Sequence, residues 1–194
     1  MAHRTILIAV ICASSLAWGG FEWVRHRRER NAGVDSSRDR GSLRLIRLLI
    51  SSSVVLAMAA RFYPPLQRPA LIFTSSRSML LATCVLWLGI GLRLAAMRTL
   101  GSYFKFVVVI QPGHRVVQNG IYRYLRHPAY TGGLLILLAY GILFGHWVSF
   151  AFMTLSFAGI IRRIFIEEEA LQQSLGEEYR EYMKRTWRLI PGIW

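Results

Sequence analysis

"GIYRYLRHPAYTGG", residues 120 to 133, sets two arginines, a histidine, a proline and three tyrosines side by side between strongly apolar segments. Water tolerates such a cluster anywhere, but hydrocarbon does not. The cluster therefore marks a point where the chain meets the edge of an apolar phase. Pro128 disfavours helix at His127, so a break is expected there, with Pro128 suited to the first turn of the next helix. A helix start carries free N–H groups and partial positive charge. With Arg126 and His127 beside it, this corner suits an anion at a membrane surface. Plain interfacial anchoring by Tyr, Arg and His accounts for the same residues equally well, and the pattern alone leaves both open.

The rest of the chain supports a membrane setting. Of its 194 residues 54% are hydrophobic, more than a soluble domain of this size needs. Yet Lys+Arg number 24 against 10 Asp+Glu, a net charge of +14. Nucleic-acid binding is the rival explanation of that charge. The arginines fall in short loops between apolar runs and not along one amphipathic face, so no nucleic-acid partner is expected. Cys12 and Cys84 lie inside apolar runs and read as small buried hydrophobes, with no metal site between them.

Five segments are apolar and long enough to be candidate spans: residues 5–24, 43–62, 79–97, 131–144 and 147–166. The first follows a basic start at His3 and Arg4 and contains small residues, as in a signal peptide. Its apolar run continues through Phe21, Trp23 and Val24, so an uncleaved span is expected. Arg44 and Arg47 at the start of the second can snorkel to the interface. The fourth and fifth are joined only by Gly145, His146 and Trp147, a tight hairpin. Pro64 to Pro69, "PPLQRP", reads as a rigid turn. "GIG" at Gly89 to Gly91 reads as helix packing, not a nucleotide loop. Residues 25–47 carry eight arginines, 98–130 four arginines and a lysine, and 162–194 five arginines and a lysine. Positive charge accumulates on the cytoplasmic side, which puts the N-terminus outside and the C-terminus inside. Residues 25–42 read as a solvated basic loop that touches anionic lipid. Residues 98–130 read as short β-like and turn pieces. Residues 167–185 read as an amphipathic helix with Leu171, Leu175, Tyr179 and Tyr182 on one face. The division expected is 1–97, three N-terminal membrane helices, and 98–194, a catalytic region that includes a two-helix hairpin.

Arg162 and Arg163 sit near the end of the fifth segment, where ionisable groups suggest pairing or function. Arg163 and Glu167 are four apart and share a helix face. An intrahelical salt bridge with a snorkelling arginine explains them as well as a site does.

Two stretches taken together resemble the isoprenylcysteine carboxyl methyltransferase family: "GHRVVQNGIYRYLRHPAYTGG" and, after two spans, "EEEALQQSLGEEYREYMKRTWRLIP". They cover about half of the chain, and either alone would be a weak match. The resemblance implies an all-α integral membrane enzyme, with about five transmembrane helices, that uses S-adenosyl-L-methionine. It implies cofactor contacts at His114, Arg115, Val116, Val117 and Tyr122, at His127, Pro128, Ala129 and Tyr130, and at Glu167. It makes Arg163 the arginine that binds the acceptor carboxylate, and Arg163 and Glu167 the catalytic pair. Two positions depart from the family pattern. Val109 stands where eukaryotic members carry a polar cofactor contact, with Gln111 nearby as a substitute, and Leu175 replaces a phenylalanine.

The chemistry implied is consistent with the residues. A carboxylate acceptor is ionised at neutral pH and needs alignment, not a general base. Arg163 suits a two-pronged grip on it, and a lipophilic acceptor would enter from the bilayer. Related membrane methyltransferases act on a phospholipid amine or a small thiol. An amine would need a base such as Glu168 or a histidine. A non-enzymatic membrane scaffold and, more distantly, a sterol-reductase-like NADPH site complete the alternatives. The natural acceptor and the oligomeric state are not legible here.

Overall fold

The computed structural model describes residues 2–31, 39–62, 75–107, 109, 113, 115–144 and 147–194. Among them are six α-helices: α1 (Ala2–Asn31), α2 (Ser42–Phe62), α3 (Ser76–Leu100), α4 (Pro128–Phe144), α5 (Trp147–Leu175) and α6 (Glu177–Arg185). Short 3-10 turns occupy Gly101–Tyr103 and Gly120–Arg123. No strand is present among the described residues, and the backbone forms one isolated β-bridge, Leu125 with Trp187. The five expected apolar segments each fall within a long helix. Residues 6–31 and 76–103 are long and apolar enough to cross a membrane by length and composition, and Pro128–Phe144 is a shorter apolar helix.

Helix boundaries follow local chemistry. Ser75 caps α3, its Oγ accepting the Ser78 N–H at 3.1 Å. Gly101 ends that helix at φ +56°, a conformation that costs glycine little. Pro128 opens α4 as expected, its missing N–H being one that a first turn would leave unbonded. The linking segments 63–74, with the "PPLQRP" turn, and 145–146, in the hairpin, lie outside the described residues.

Small residues set the closest helix contact. The backbones of α3 and α4 cross where Gly89 meets Gly132. A Cβ on Gly89 would lie 2.8 Å from the Gly132 carbonyl oxygen, and one on Gly132 would lie 2.6 Å from that of Gly89. Apolar chains gain little by hiding from lipid, so close backbone approach supplies the packing. Gly91 meets nothing within 4 Å, so only the first glycine of "GIG" has the expected packing role. One buried cluster joins α1, α3 and α4 through Trp18, Leu86, Met97 and Ile136. A second joins α2, α4 and α5 through Ile46, Leu137, Ile160 and Ile164.

Four expectations need correction. Residues 25–31, expected in a solvated basic loop, continue α1, and Asp39 is buried, while 32–38 lie outside the described residues. Among the described residues of 98–130 the expected turns are present, at Gly101–Tyr103 and Gly120–Arg123, but the β-like pieces reduce to the Leu125 bridge; Phe104, Phe106 and Val117 pack onto the helices instead of pairing as strands. Residues 167–185 are not one amphipathic helix. Nothing breaks the chain between Ile166 and Leu175, so α5 runs through both. The break comes at Gly176, at φ +59°, before the nine-residue α6. Cys12 and Cys84 are exposed, on outward faces of α1 and α3; a face turned to lipid needs no protein cover.

The arginine-rich ends of the helices converge. Asp39 and Ser42 before and at the start of α2, Phe106 after α3 and Tyr130 in the first turn of α4 all hydrogen-bond to Arg163, late in α5. The loops singled out by their positive charge thus meet at one end of the bundle.

Candidate active site

A cavity of about 440 Å³ lies at this end, between all six helices and the segment after α3. That volume falls in the range of small-molecule sites, about 300–1,000 Å³. Its wall holds Arg115, Val116, Val117, Tyr122, His127, Ala129, Tyr130, Arg163 and Glu167, each expected from sequence. Pro128 is buried behind the wall as the first residue of α4. His114 and Gln111 lie outside the described residues, while Val109 faces the cavity. Leu171, Leu175, Tyr179 and Tyr182 also reach it, although the helix breaks between the second and third of them. The bend at Gly176 keeps the stripe on one side.

Three groups form a chain along the wall. The Tyr130 hydroxyl donates to Glu167 Oε2 at 2.6 Å and accepts from Arg163 Nε at 2.8 Å. Arg163 and Glu167 therefore meet through Tyr130, and the ion-pair partner of Arg163 is Asp39, at 2.5 Å. Arg163 also donates to Ser42 Oγ at 2.7 Å and to the Phe106 carbonyl. Phe106 is held from the other side too, its N–H donating to Glu29 Oε2 at 2.8 Å. The segment after α3 is thus strapped between α1 and α5. Both Arg163 and Asp39 are buried, at 3% and 4% exposure, as paired charges must be if they leave water.

The neighbouring glutamate behaves differently. Glu168, 2% exposed, accepts from Arg126 Nε at 3.0 Å and Arg188 Nε at 2.9 Å. The His127 Nε2 lies 3.2 Å from it as well. It lies just past the apolar segment 147–166. Burial works to raise its pKa, but the hydrogen bond to His127 and the Arg126 guanidinium outweigh that and hold it at about 2. The knot fixes the C-terminal tail across the start of α4. Trp187 and Arg188 carbonyls accept the N–H groups of Arg126 and His127 at 2.7 and 3.0 Å. Thr131 Oγ1 donates to the Leu189 carbonyl at 2.9 Å. Tyr182 donates to the Tyr122 carbonyl at 2.7 Å, fixing α6 to the turn that carries Tyr122.

Two wall residues, Glu22 and Arg93, and Asp39, which pairs with Arg163 behind the wall, were not legible from sequence as site residues. Glu22 of α1 pairs with Arg93 of α3, which also donates to the Ala129 carbonyl at 2.9 Å, and both line the cavity. An acid inside an apolar span is itself a signal, and Glu22 carried it. Asp39 carried none, being one charge among many in a basic loop.

The chain is similar to known proteins in sequence and in fold. The family model described as isoprenylcysteine carboxyl methyltransferase (ICMT) family matches residues 80–173. The chain is 34% identical over 122 residues to the protein-S-isoprenylcysteine O-methyltransferase of Dictyostelium discoideum, covering 58% of this chain and 48% of that protein. It is 31% identical over 153 residues to a probable protein-S-isoprenylcysteine O-methyltransferase of Oryza sativa subsp. indica, covering 75% of this chain and 80% of that one. It thus spans about half the length of the first relative and four fifths of the second. A solved structure of the eukaryotic intramembrane Ras methyltransferase ICMT superposes with a TM-score of 0.59 at 29% identity, covering 76% of this chain and 52% of that one. On these matches, and with the motif residues gathered on one cavity wall, the chain belongs to the isoprenylcysteine carboxyl methyltransferase family.

Proposed function

We propose that this protein is an integral membrane methyltransferase that transfers a methyl group from S-adenosyl-L-methionine to the carboxylate of a prenylcysteine or similar lipid-like acid. The observation that carries the reading is the Glu167–Tyr130–Arg163 chain on the wall of the 440 Å³ cavity. The cavity residues fit the cofactor. Glu167 offers a carboxylate to its positive groups, and the Tyr122, Tyr130 and Tyr179 rings offer faces for a cation. Arg115 supplies positive charge for its carboxylate, and Val116 and Val117 an apolar wall. When bound, the cofactor supplies an electrophilic methyl group.

The protein's own part is alignment. An ionised acceptor carboxylate needs no proton removed. Arg163 orients it, and the tyrosines and apolar walls exclude water, which strengthens each charge interaction. Ile46, Ile50, Ile136 and Ile160 extend the cavity between α2, α4 and α5 into the apolar bundle, a path that suits a prenyl tail arriving from lipid. Residues 1–97 form the three N-terminal membrane helices in this reading, and residues 98–194 the catalytic region. Five helices cross the bilayer in this reading, with the cavity mouth and the C-terminus in the cytoplasm and the N-terminus outside. An amine acceptor would rest on Glu168 as base, but Glu168 is sealed among two arginines and His127.

The test is calorimetric binding of S-adenosyl-L-methionine to detergent-purified protein, wild type beside Glu167→Gln. Methyl transfer to N-acetyl-S-farnesylcysteine and to phosphatidylethanolamine is then compared. Binding that weakens in the variant, with transfer to the acid only, is the expected result. Absence of cofactor binding by folded wild type would overturn the reading.

A further inference from the structure

We propose that Asp39 is the counter-ion an anionic acceptor replaces at Arg163, so that Asp39 selects acceptors by charge exchange. The inference rests on the acid-acceptor reading above. A guanidinium has five N–H donors. Four of those on Arg163 are engaged: Nε by Tyr130, both on Nη1 by Asp39 and Ser42, and one on Nη2 by Phe106. A two-pronged grip on an acceptor carboxylate needs two, so at least one partner has to leave. Tyr130, Ser42 and the Phe106 carbonyl are neutral, and Asp39 alone among these partners is an anion.

The charge count favours the same partner. Arg163 contributes +1, and Asp39 and Glu167 one negative charge each when ionised. Adding an acceptor carboxylate while Asp39 stays would place two carboxylates on one buried guanidinium, beside a third. Like charges in a buried site are strongly disfavoured. If the acceptor carboxylate takes the place of Asp39, the charge around Arg163 is unchanged. A neutral acceptor has nothing to exchange.

Asp39 is placed to be released. Its other oxygen, Oδ2, accepts the Leu43 N–H at 3.0 Å and caps the start of α2. The next two residues are both left-handed, Arg40 at φ +47° and Gly41 at φ +72°. For arginine that conformation is strained. Arg40 is held by an exposed pair with Glu169, at 2.9 Å. So the turn is fastened to α5 by Asp39 on Arg163 and by Arg40 on Glu169, and an acceptor at Arg163 competes with the buried fastening.

The experiment uses full-length protein in detergent, the acid N-acetyl-S-farnesylcysteine and its methyl ester. Hydrogen exchange at the Leu43 amide and steady-state kinetics are measured for wild type and Asp39→Asn. The acid is expected to raise Leu43 exchange in wild type, and the ester is not. Asp39→Asn is expected to lower KM for the acid about tenfold, since the competing carboxylate is gone. Unchanged Leu43 exchange at saturating acid overturns the exchange even if wild type methylates the acid, in which case the reaction assignment stands. A higher KM and lower kcat in a folded Asp39→Asn protein also overturns it, making Asp39 a fixed support for Arg163. Acid-induced exchange in a protein that transfers no methyl group keeps the counter-ion role and removes the reaction. Failure of both proteins to bind the acid overturns the proposal. If Asp39→Asn does not fold, the wild-type exchange comparison decides alone.

Discussion

Glu167 and Glu168 are adjacent in sequence and face different surroundings. Glu167 meets the Tyr130 hydroxyl at 2.6 Å on the cavity wall, and Glu168 is closed inside a knot of Arg126, His127 and Arg188. A helix turns each successive residue by about 100°, so one of the pair looks into the cavity while the other looks toward the C-terminal tail. Substituting them should separate function from stability. Glu167→Gln should weaken cofactor binding at least about tenfold, by losing a charge-assisted contact. Glu168→Gln should cost about 3–5 kcal/mol of stability, because it leaves buried cations without their anion. Calorimetry and thermal unfolding of the two variants check this; a reversed pattern would exchange the assignments.

The Glu168 carboxylate also predicts an acid limit. Its folded pKa, about 2, lies below the ordinary 4.5. A group depressed in this way contributes stability that is fully present above about pH 4.5 and is lost as pH falls toward 2. Thermal unfolding of wild type and Glu168→Gln between pH 3 and 7 should show a constant gap above pH 5 that narrows below 4.5. A gap that widens on acidification contradicts the assignment.

Tyr130 links the two polar ends of the wall. Tyr130→Phe should remove both of its hydrogen bonds at once. The buried partners then lose about 1–3 kcal/mol of satisfaction, and methyl transfer should fall about 10- to 100-fold. A Tyr130→Phe protein with wild-type turnover would show that Glu167 and Arg163 work independently.

Arg163→Lys should lose most activity although the charge is kept. Lysine lacks the planar fork that reaches Tyr130, Asp39, Ser42 and Phe106 together. A loss of about 100-fold or more in kcat/KM is expected, since one misplaced positioning group has that effect. Wild-type turnover in this variant would remove Arg163 from the acceptor site.

The α3–α4 crossing gives a packing test. Gly89→Ala or Gly132→Ala would force a methyl group against backbone atoms at 2.8 and 2.6 Å. Overpacking costs about 1–3 kcal/mol where neighbours can move, and backbone moves less easily than side chains. Gly91→Ala, with open space around it, should be neutral or slightly stabilising. Detergent melting temperatures of the three variants decide it.

The primary sequence by itself determined the apolar helices, the break before Pro128, the crowding of arginines into particular loops and the two motifs that mark the family. All of these are local properties, written in composition, in period and in the backbone limits of proline. The family resemblance also pointed to Arg115, Val116, Val117, Tyr122, His127, Ala129, Tyr130, Arg163 and Glu167, and all nine line one cavity. The tertiary structure decided who pairs with whom. Asp39 and Arg163 are 124 residues apart, and no spacing rule joins a loop carboxylate to an arginine in another helix. The same holds for Glu22 with Arg93, and for the tail carbonyls that take the N–H groups of Arg126 and His127. A buried charge must find a partner, but which partner it finds depends on how helices pack, and for Glu22 and Arg93 that is set beside the Gly89 on Gly132 crossing, where Gly132 lies against the Arg93 backbone.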